Sequence, residues 1–202
     1  MMLGKTRNRL TRGAILAVVL GCVLLSALSA TVAAENSETS PAPPGTLNFV
    51  GKNLLMKAKG TFHDWRVVES SVDMDAIEDA FVVVEVSLAS VDTGIERRDE
   101  HLRTPDFFEI ETYPVAIVRI HSPRPSADEV DELPRFTVQF DVDLHGVTKT
   151  LEGEILLIDR DPLVFEGNVT IDRTEFGVGP KPNRWNPTSP RAEIPVHFKV
   201  EL

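Results

Sequence analysis

Residues 87–121 read SLASVDTGIERRDEHLRTPDFFEIETYPVAIVRIH. The run opens as the end of a strand, breaks at Thr93-Gly94, carries a dense block of charge and resumes as a strand after Pro114. Asp92 or Thr93 can accept the free amide hydrogens of a first turn, which predicts a short helix over 96–103. Within it Glu100 lies one turn from Arg103, where opposite charges attract. Pro105 stops the turn, because the residue before a proline is pushed out of the helical region. On one side His101, Leu102, Phe107 and Phe108 can close over apolar ground. Two readings follow: a surface helix with a hydrophobic plug, or a lid over a ligand cavity, since loops on rigid scaffolds so often carry function.

Outward from this stretch the period is two. Phe136, Val138, Phe140, Val142 and Leu144 alternate with polar residues, and Ile194, Val196, Phe198 and Val200 alternate with Pro195, His197 and Lys199. Val82, Val84 and Val86 repeat the pattern, and Leu163, Phe165, Val169 and Ile171 share a face across Gly167. One face of each strand is dry and the other wet, which argues for antiparallel strands and against a parallel sheet covered on both sides. About eight or nine strands fit, with almost no room for long helices. Alternation alone leaves a sandwich and a closed barrel equally open. Gly153 and Gly167 fall on otherwise apolar inward positions, where they either widen a lumen or mark a bend.

Three segments carry a family resemblance: Ser90-Val91-Asp92-Thr93 followed by RDEHLRTPDFFEIETYP, then LHGVTKTL at 144–151, and IDRTEFG at 171–177. Together they resemble the YceI-like family over roughly residues 46–202. The resemblance implies an all-β fold, an antiparallel eight-stranded lipocalin-like barrel with a short helix and a long loop. It also implies a secreted or periplasmic, noncatalytic protein that binds long isoprenoid lipids. On that reading Phe140, Val142, Ile155, Leu157, Val169 and Phe198 line a lumen and touch a long apolar chain, with Leu102, Phe107 and Phe108 closing it. Expected rim or head-group residues are His101, Arg103, Arg173, Lys181, Arg184 and Trp185, because arginine offers a fixed fork of donors and lysine a mobile charge. For those in the loop 172–186 the plainer alternative is salt bridging to surface carboxylates, with Trp185 covering the end of the fold. A barrel packed solid with side chains would instead be structural or protein-binding.

Lys5, Arg7, Arg9 and Arg12 precede an apolar run over 14–28 and a stretch of small residues ending at Ala34. That order predicts a signal peptide over 1–34, or a retained membrane anchor, with 35–45 a flexible proline-rich linker. The protein is then exported, periplasmic or extracellular, with any membrane contact made through the N-terminal segment. Without residues 1–34 the chain keeps all 31 Asp and Glu and a net charge near −14. Such a chain should be repelled by nucleic acid and by anionic membranes. The single cysteine, Cys22, lies in the apolar run, so no disulfide is expected in the exported part.

Chemistry is sparse. His63, His101, His121, His145 and His197 are dispersed, without HExxH or comparable ligand spacing, and no serine sits in a G-x-S-x-G context. No catalytic residue, metal or cofactor is expected. A secreted enzyme built on the His101 and Arg103 region is the least favoured alternative.

Overall fold

The structure is a computed structural model that describes residues 42–126 and 133–202. The predicted signal or anchor over 1–34, and the linker except for its last residues, lie outside the described residues. Ten strands form one antiparallel sheet: β1 (Gly45–Lys52), β2 (Lys57–Phe62), β3 (Trp65–Ser71), β4 (Phe81–Ser87), β5 (Val91–Asp92), β6 (Val115–Pro125), β7 (Arg135–Leu144), β8 (Val147–Arg160), β9 (Leu163–Asp172) and β10 (Glu193–Glu201). The one α-helix among the described residues, α1, spans Glu96–Arg103, as the charge pattern predicts.

The strand order is β3-β4-β6-β7-β8-β9-β10-β1-β2-β5, so the sheet ends at β3 on one side and β5 on the other. This overturns the expected closed eight-stranded barrel: the molecule is a ten-stranded open half-barrel. The reason lies in the two edges. β5 is two residues long and pairs only Thr61 and Phe62, while β3 is broken by a bulge between Val67 and Glu69 and is largely exposed beyond it. Neither offers a ladder that the other could complete, and short, bulged, charged edges also resist pairing with other chains.

The sheet nevertheless curls. β2 and β3 stand near opposite ends of the order, yet only His63 and Asp64 separate them in the chain. That corner is fixed by backbone bonds: the His63 amide donates to the Ser90 carbonyl at 3.3 Å and the Ser87 amide to the Asp64 carbonyl at 2.9 Å. A two-residue link cannot span a flat ten-stranded sheet whose neighbours lie about 4.8 Å apart. Curvature is therefore a consequence of connectivity, and it gathers the dry phase of the strands into one core. Trp65, Val84, Val86, Phe136, Val138, Phe140, Val142, Leu157 and Phe165 are buried there.

Local chemistry sets the turns. Leu144 pairs with Val147 across a two-residue loop in which His145 and Gly146 both have positive φ, 55° and 72°. That conformation matches the twist of a hairpin and favours glycine. Gly146 has a second reason to lack a side chain, since a Cβ there would lie 2.9 Å from the Tyr113 ring.

Candidate functional site

The interior is built from aromatic rings laid over glycines. A Cβ at Gly60 would meet the Phe49 ring at 2.3 Å, one at Gly153 the Phe140 ring at 2.8 Å, and one at Gly167 the Phe198 ring at 2.6 Å. Phe49 and Phe198 lie directly opposite their glycines across the ladder, and Phe140 sits on the diagonal. Side chains on facing strands pack in this way when glycine leaves the sheet surface bare. Phe140 and Phe198 also meet edge to face, with centroids 5.9 Å apart. Gly153 and Gly167 therefore do not widen the lumen: the rings occupy the space they release.

Within the sheet lies a half-open, mainly apolar pocket of about 40 Å³, lined by residues that include Val72, Ile77, Phe81, His121, Ile155, Phe165 and Phe198. On the same measure one water needs about 10 to 15 Å³, so the pocket as it stands has room for a few small groups and not for a long chain. Of the expected lumen residues Ile155 and Phe198 line it, whereas Phe140, Val142, Leu157 and Val169 are packed into the surrounding core. Val138 and Phe165 share the dry phase and were legible as such. Ile77, Phe81 and Pro123 come from irregular segments or strand ends, where periodicity gives no signal.

The cavity and the helical segment occupy opposite ends of the strands. Phe81, Pro123 and Val200 belong to the start of β4 and the ends of β6 and β10; α1 follows the end of β4 and precedes the start of β6. Leu102 is half-buried, Phe107 packs where a Gly179 Cβ would lie, 2.7 Å from its ring, and Phe108 faces Phe62 with centroids 6.0 Å apart. Phe107 and Phe108 thus pack against the core at the end opposite the cavity.

At that end the predicted cap is corrected. Ile95 is the residue before the first helical turn and makes no side-chain cap. Instead buried Asp99 reaches back from inside the helix to accept from the Thr93 amide at 2.9 Å and from the Thr93 hydroxyl. Arg98 closes the same knot, donating to the Thr93 hydroxyl and carbonyl at 2.7 and 2.8 Å. Asp92 accepts from the Gly94 amide at 2.7 Å, and that bond together with His63 holds its carboxyl below the usual range.

The expected head-group residues separate into two groups. Arg103 donates to the Ala89 and Val91 carbonyls at 2.9 and 3.0 Å, and Arg173, 5 % exposed, donates to the carbonyls of Arg191, Val178, Pro180 and Pro190 at 2.6 to 2.9 Å. Their forks tie loops to the sheet, which leaves little with which to grip an anion. His101 lies 3.4 Å from Asp106 and edge-on to the Phe107 ring. Lys181, Arg184 and Trp185 are exposed, with the Arg184 guanidinium 5.2 Å from the indole centre.

His145 belongs to the family-like segment 144–151. Its Nδ1 lies 3.2 Å from the Phe176 carbonyl, its Nε2 lies 3.5 Å from the Glu109 carboxylate, and the Tyr113 ring lies tilted against it with centroids 4.4 Å apart. It joins the β7–β8 hairpin to the segment after α1 and to the turn after β9. Among the described residues no three His, Cys, Asp or Glu side chains gather as a metal site.

The family model described as YceI-like domain matches residues 32–202. A UPF0312 protein of Pseudomonas fluorescens is 33% identical over 137 residues, covering 61% of this chain and 68% of its own. Protein YceI of Escherichia coli O157:H7 is 34% identical over 105 residues, 51% of each chain. Among solved structures, Burkholderia cenocepacia BcnA superposes with a TM-score of 0.68 at 18% identity, covering 78% of this chain and 96% of that one. A polyisoprenoid binding domain from Saccharophagus degradans, implicated in plant cell wall breakdown, gives 0.58 at 18% identity, with 80% and 94% covered. At such identity the two structures show a shared fold.

Proposed function

Because the chain belongs to the YceI-like family, whose members are noncatalytic, we propose that it binds an extended apolar lipid, isoprenoid-like in character, inside the curled sheet. The observation that carries this reading is the predominantly apolar interior of an unclosed sheet, with a pocket that already reaches Ile155, Phe165 and Phe198. A pocket of this character recognises hydrocarbon by area, at about 0.8 kcal/mol per buried methylene before ordering costs. Similarity in fold to a polyisoprenoid binding domain supports the choice of ligand class.

At about 40 Å³ the pocket is smaller than such a chain, so on this reading Phe198, which lines it, leaves its seat over Gly167. The same packing favours a second reading, a filled half-barrel that serves as a structural or protein-binding module. Export to the periplasm, with 1–34 removed or kept as an anchor, accompanies either reading and rests on the charged, apolar and small-residue order of the N-terminus.

The deciding experiment is native mass spectrometry of protein purified from its own envelope, followed by organic extraction. A stoichiometric long-chain lipid that exchanges with added polyprenol is the expected result. Protein of bare-chain mass that takes up no polyprenol would leave the filled module.

A further inference from the structure

The tip of the β1–β2 hairpin exposes three consecutive apolar side chains, Leu54, Leu55 and Met56, at 71%, 68% and 62%. Asn53 fixes their turn by accepting from the Leu55 and Met56 amides, each at 2.8 Å. Beside it stands the loop bearing Trp185, 84% exposed: the Leu54 amide donates to the Pro187 carbonyl at 3.2 Å and the Arg191 amide to the Lys52 carbonyl at 2.8 Å. That loop is also built to hold its shape, with the Trp185 amide on the Asn183 side chain and the Asn183 amide on the Ser189 hydroxyl. Two separate turns thus present apolar side chains from one place.

The charge carried by the two segments themselves is one-sided. Residues 46–63 contain Lys52, Lys57 and Lys59 and no carboxylate; residues 177–192 contain Lys181, Arg184 and Arg191 and no carboxylate. Carboxylates border both segments: Asp92 lies 3.0 Å from His63, and Glu193 is the first residue of β10. An apolar tip, an indole and flanking cations are what a bilayer interface takes up: hydrocarbon enters the acyl boundary, Trp settles at head-group level, and Lys and Arg meet anionic lipid. We propose that the hairpin tip and the loop around Trp185 form a docking surface for an anionic lipid bilayer.

Net negative charge would repel such a membrane, but salt screens that repulsion beyond about 8 Å. At contact the charges of the local patch therefore weigh more than the distant net charge. The surface is independent of the interior reading, since docking can succeed or fail whether or not the core takes a lipid.

The test follows Trp185 in the full chain mixed with phosphatidylcholine vesicles, with and without phosphatidylglycerol, carrying brominated acyl chains. Trp65, the other tryptophan, is only 4% exposed and reports on the core. Quenching of Trp185 on the anionic vesicles, weakened by salt and lost in the Leu54→Ser/Leu55→Ser/Met56→Ser variant, is the expected result. In Lys181→Gln/Arg184→Gln, which keeps the apolar tip, partitioning should weaken about fivefold per cation removed. An unquenched Trp185, or quenching that neither variant alters, would overturn the proposal. So would Trp185 emission that shifts with protein concentration in the absence of vesicles, which assigns the tip to a second copy of the chain.

Discussion

Arg173 and Gly167 show how little freedom single positions have here. The Arg173 guanidinium donates to four loop carbonyls while almost fully buried, and burial lowers its pKa below the ordinary arginine value. Lysine has one nitrogen and cannot serve carbonyls spread around a planar fork. Arg173→Lys should therefore cost about 2 kcal/mol or more in urea unfolding, because buried acceptors lose their partners. Unchanged stability with weakened lipid binding would return Arg173 to the rim. Gly167 is constrained from three sides: a Cβ there would lie 2.8 Å from the Glu154 carbonyl, 2.6 Å from Phe198 and 2.9 Å from Ile155. Two of these are side chains that can shift; the carbonyl belongs to a ladder and cannot. Gly167→Ala should lose about 1 to 3 kcal/mol by overpacking, again read from denaturant unfolding, and a neutral effect would show the ring seat to be loose. Neither constraint was legible in the sequence. Arg173 looked available because its acceptors come from residues 178–191, beyond any local pattern, and Gly167 looked like a gap because its occupant is on another strand.

At the scale of elements, helix α1 was legible because Gly94 and Pro105 bracket a run of charges, but its knot of Thr93, Arg98 and Asp99 was not, since the carboxylate reaches backward rather than capping forward. The segment behind the helix packs by Phe107 and Phe108 at the end away from the cavity. Replacing both by serine should lower stability by about 2 to 4 kcal/mol, less than two fully buried rings would lose, and should speed lipid release in a transfer assay. Lost stability with unaltered release would make the segment a plug alone. The turn after β9 offers an acid-range check. The Asp172 carboxylate accepts from the Thr174 hydroxyl at 2.6 Å and from its amide at 2.9 Å, which with Arg173 holds its pKa below the ordinary 3.8. A carboxyl that binds its proton less tightly when folded adds stability above the ordinary value and loses it as pH falls through the lower native one. Asp172→Ala should cost about 1 kcal/mol at neutral pH, as loss of a cap does, and the difference from wild type should shrink as pH drops below 3.8. A pH-independent difference would mean that the carboxylate is not the active partner.

For the whole molecule, alternation gave the antiparallel strands and the dry interior, while closure escaped it. Whether a sheet closes depends on how its first and last strands meet, and here that is decided by the two-residue β5 and the bulged β3, which carry no periodic signal. The open seam bears on function, because a half-barrel can spread to admit a ligand where a closed ladder resists. Ile155 is the position where the filled and the expandable molecule part company: it lines the cavity of about 40 Å³ and lies against Phe198 across Gly167. In Ile155→Phe the added ring volume can enter that cavity, so the folded state should lose less than about 1.5 kcal/mol, short of the full cost of overpacking. The space a lipid would use is then occupied, and polyprenol affinity should fall tenfold or more, about 1.4 kcal/mol. Both quantities belong to one variant, measured by calorimetric binding and denaturant unfolding. Retained affinity with a stability loss of about 1 to 3 kcal/mol would describe a core with no room at Ile155, and the lipid would have to be sought elsewhere on the molecule.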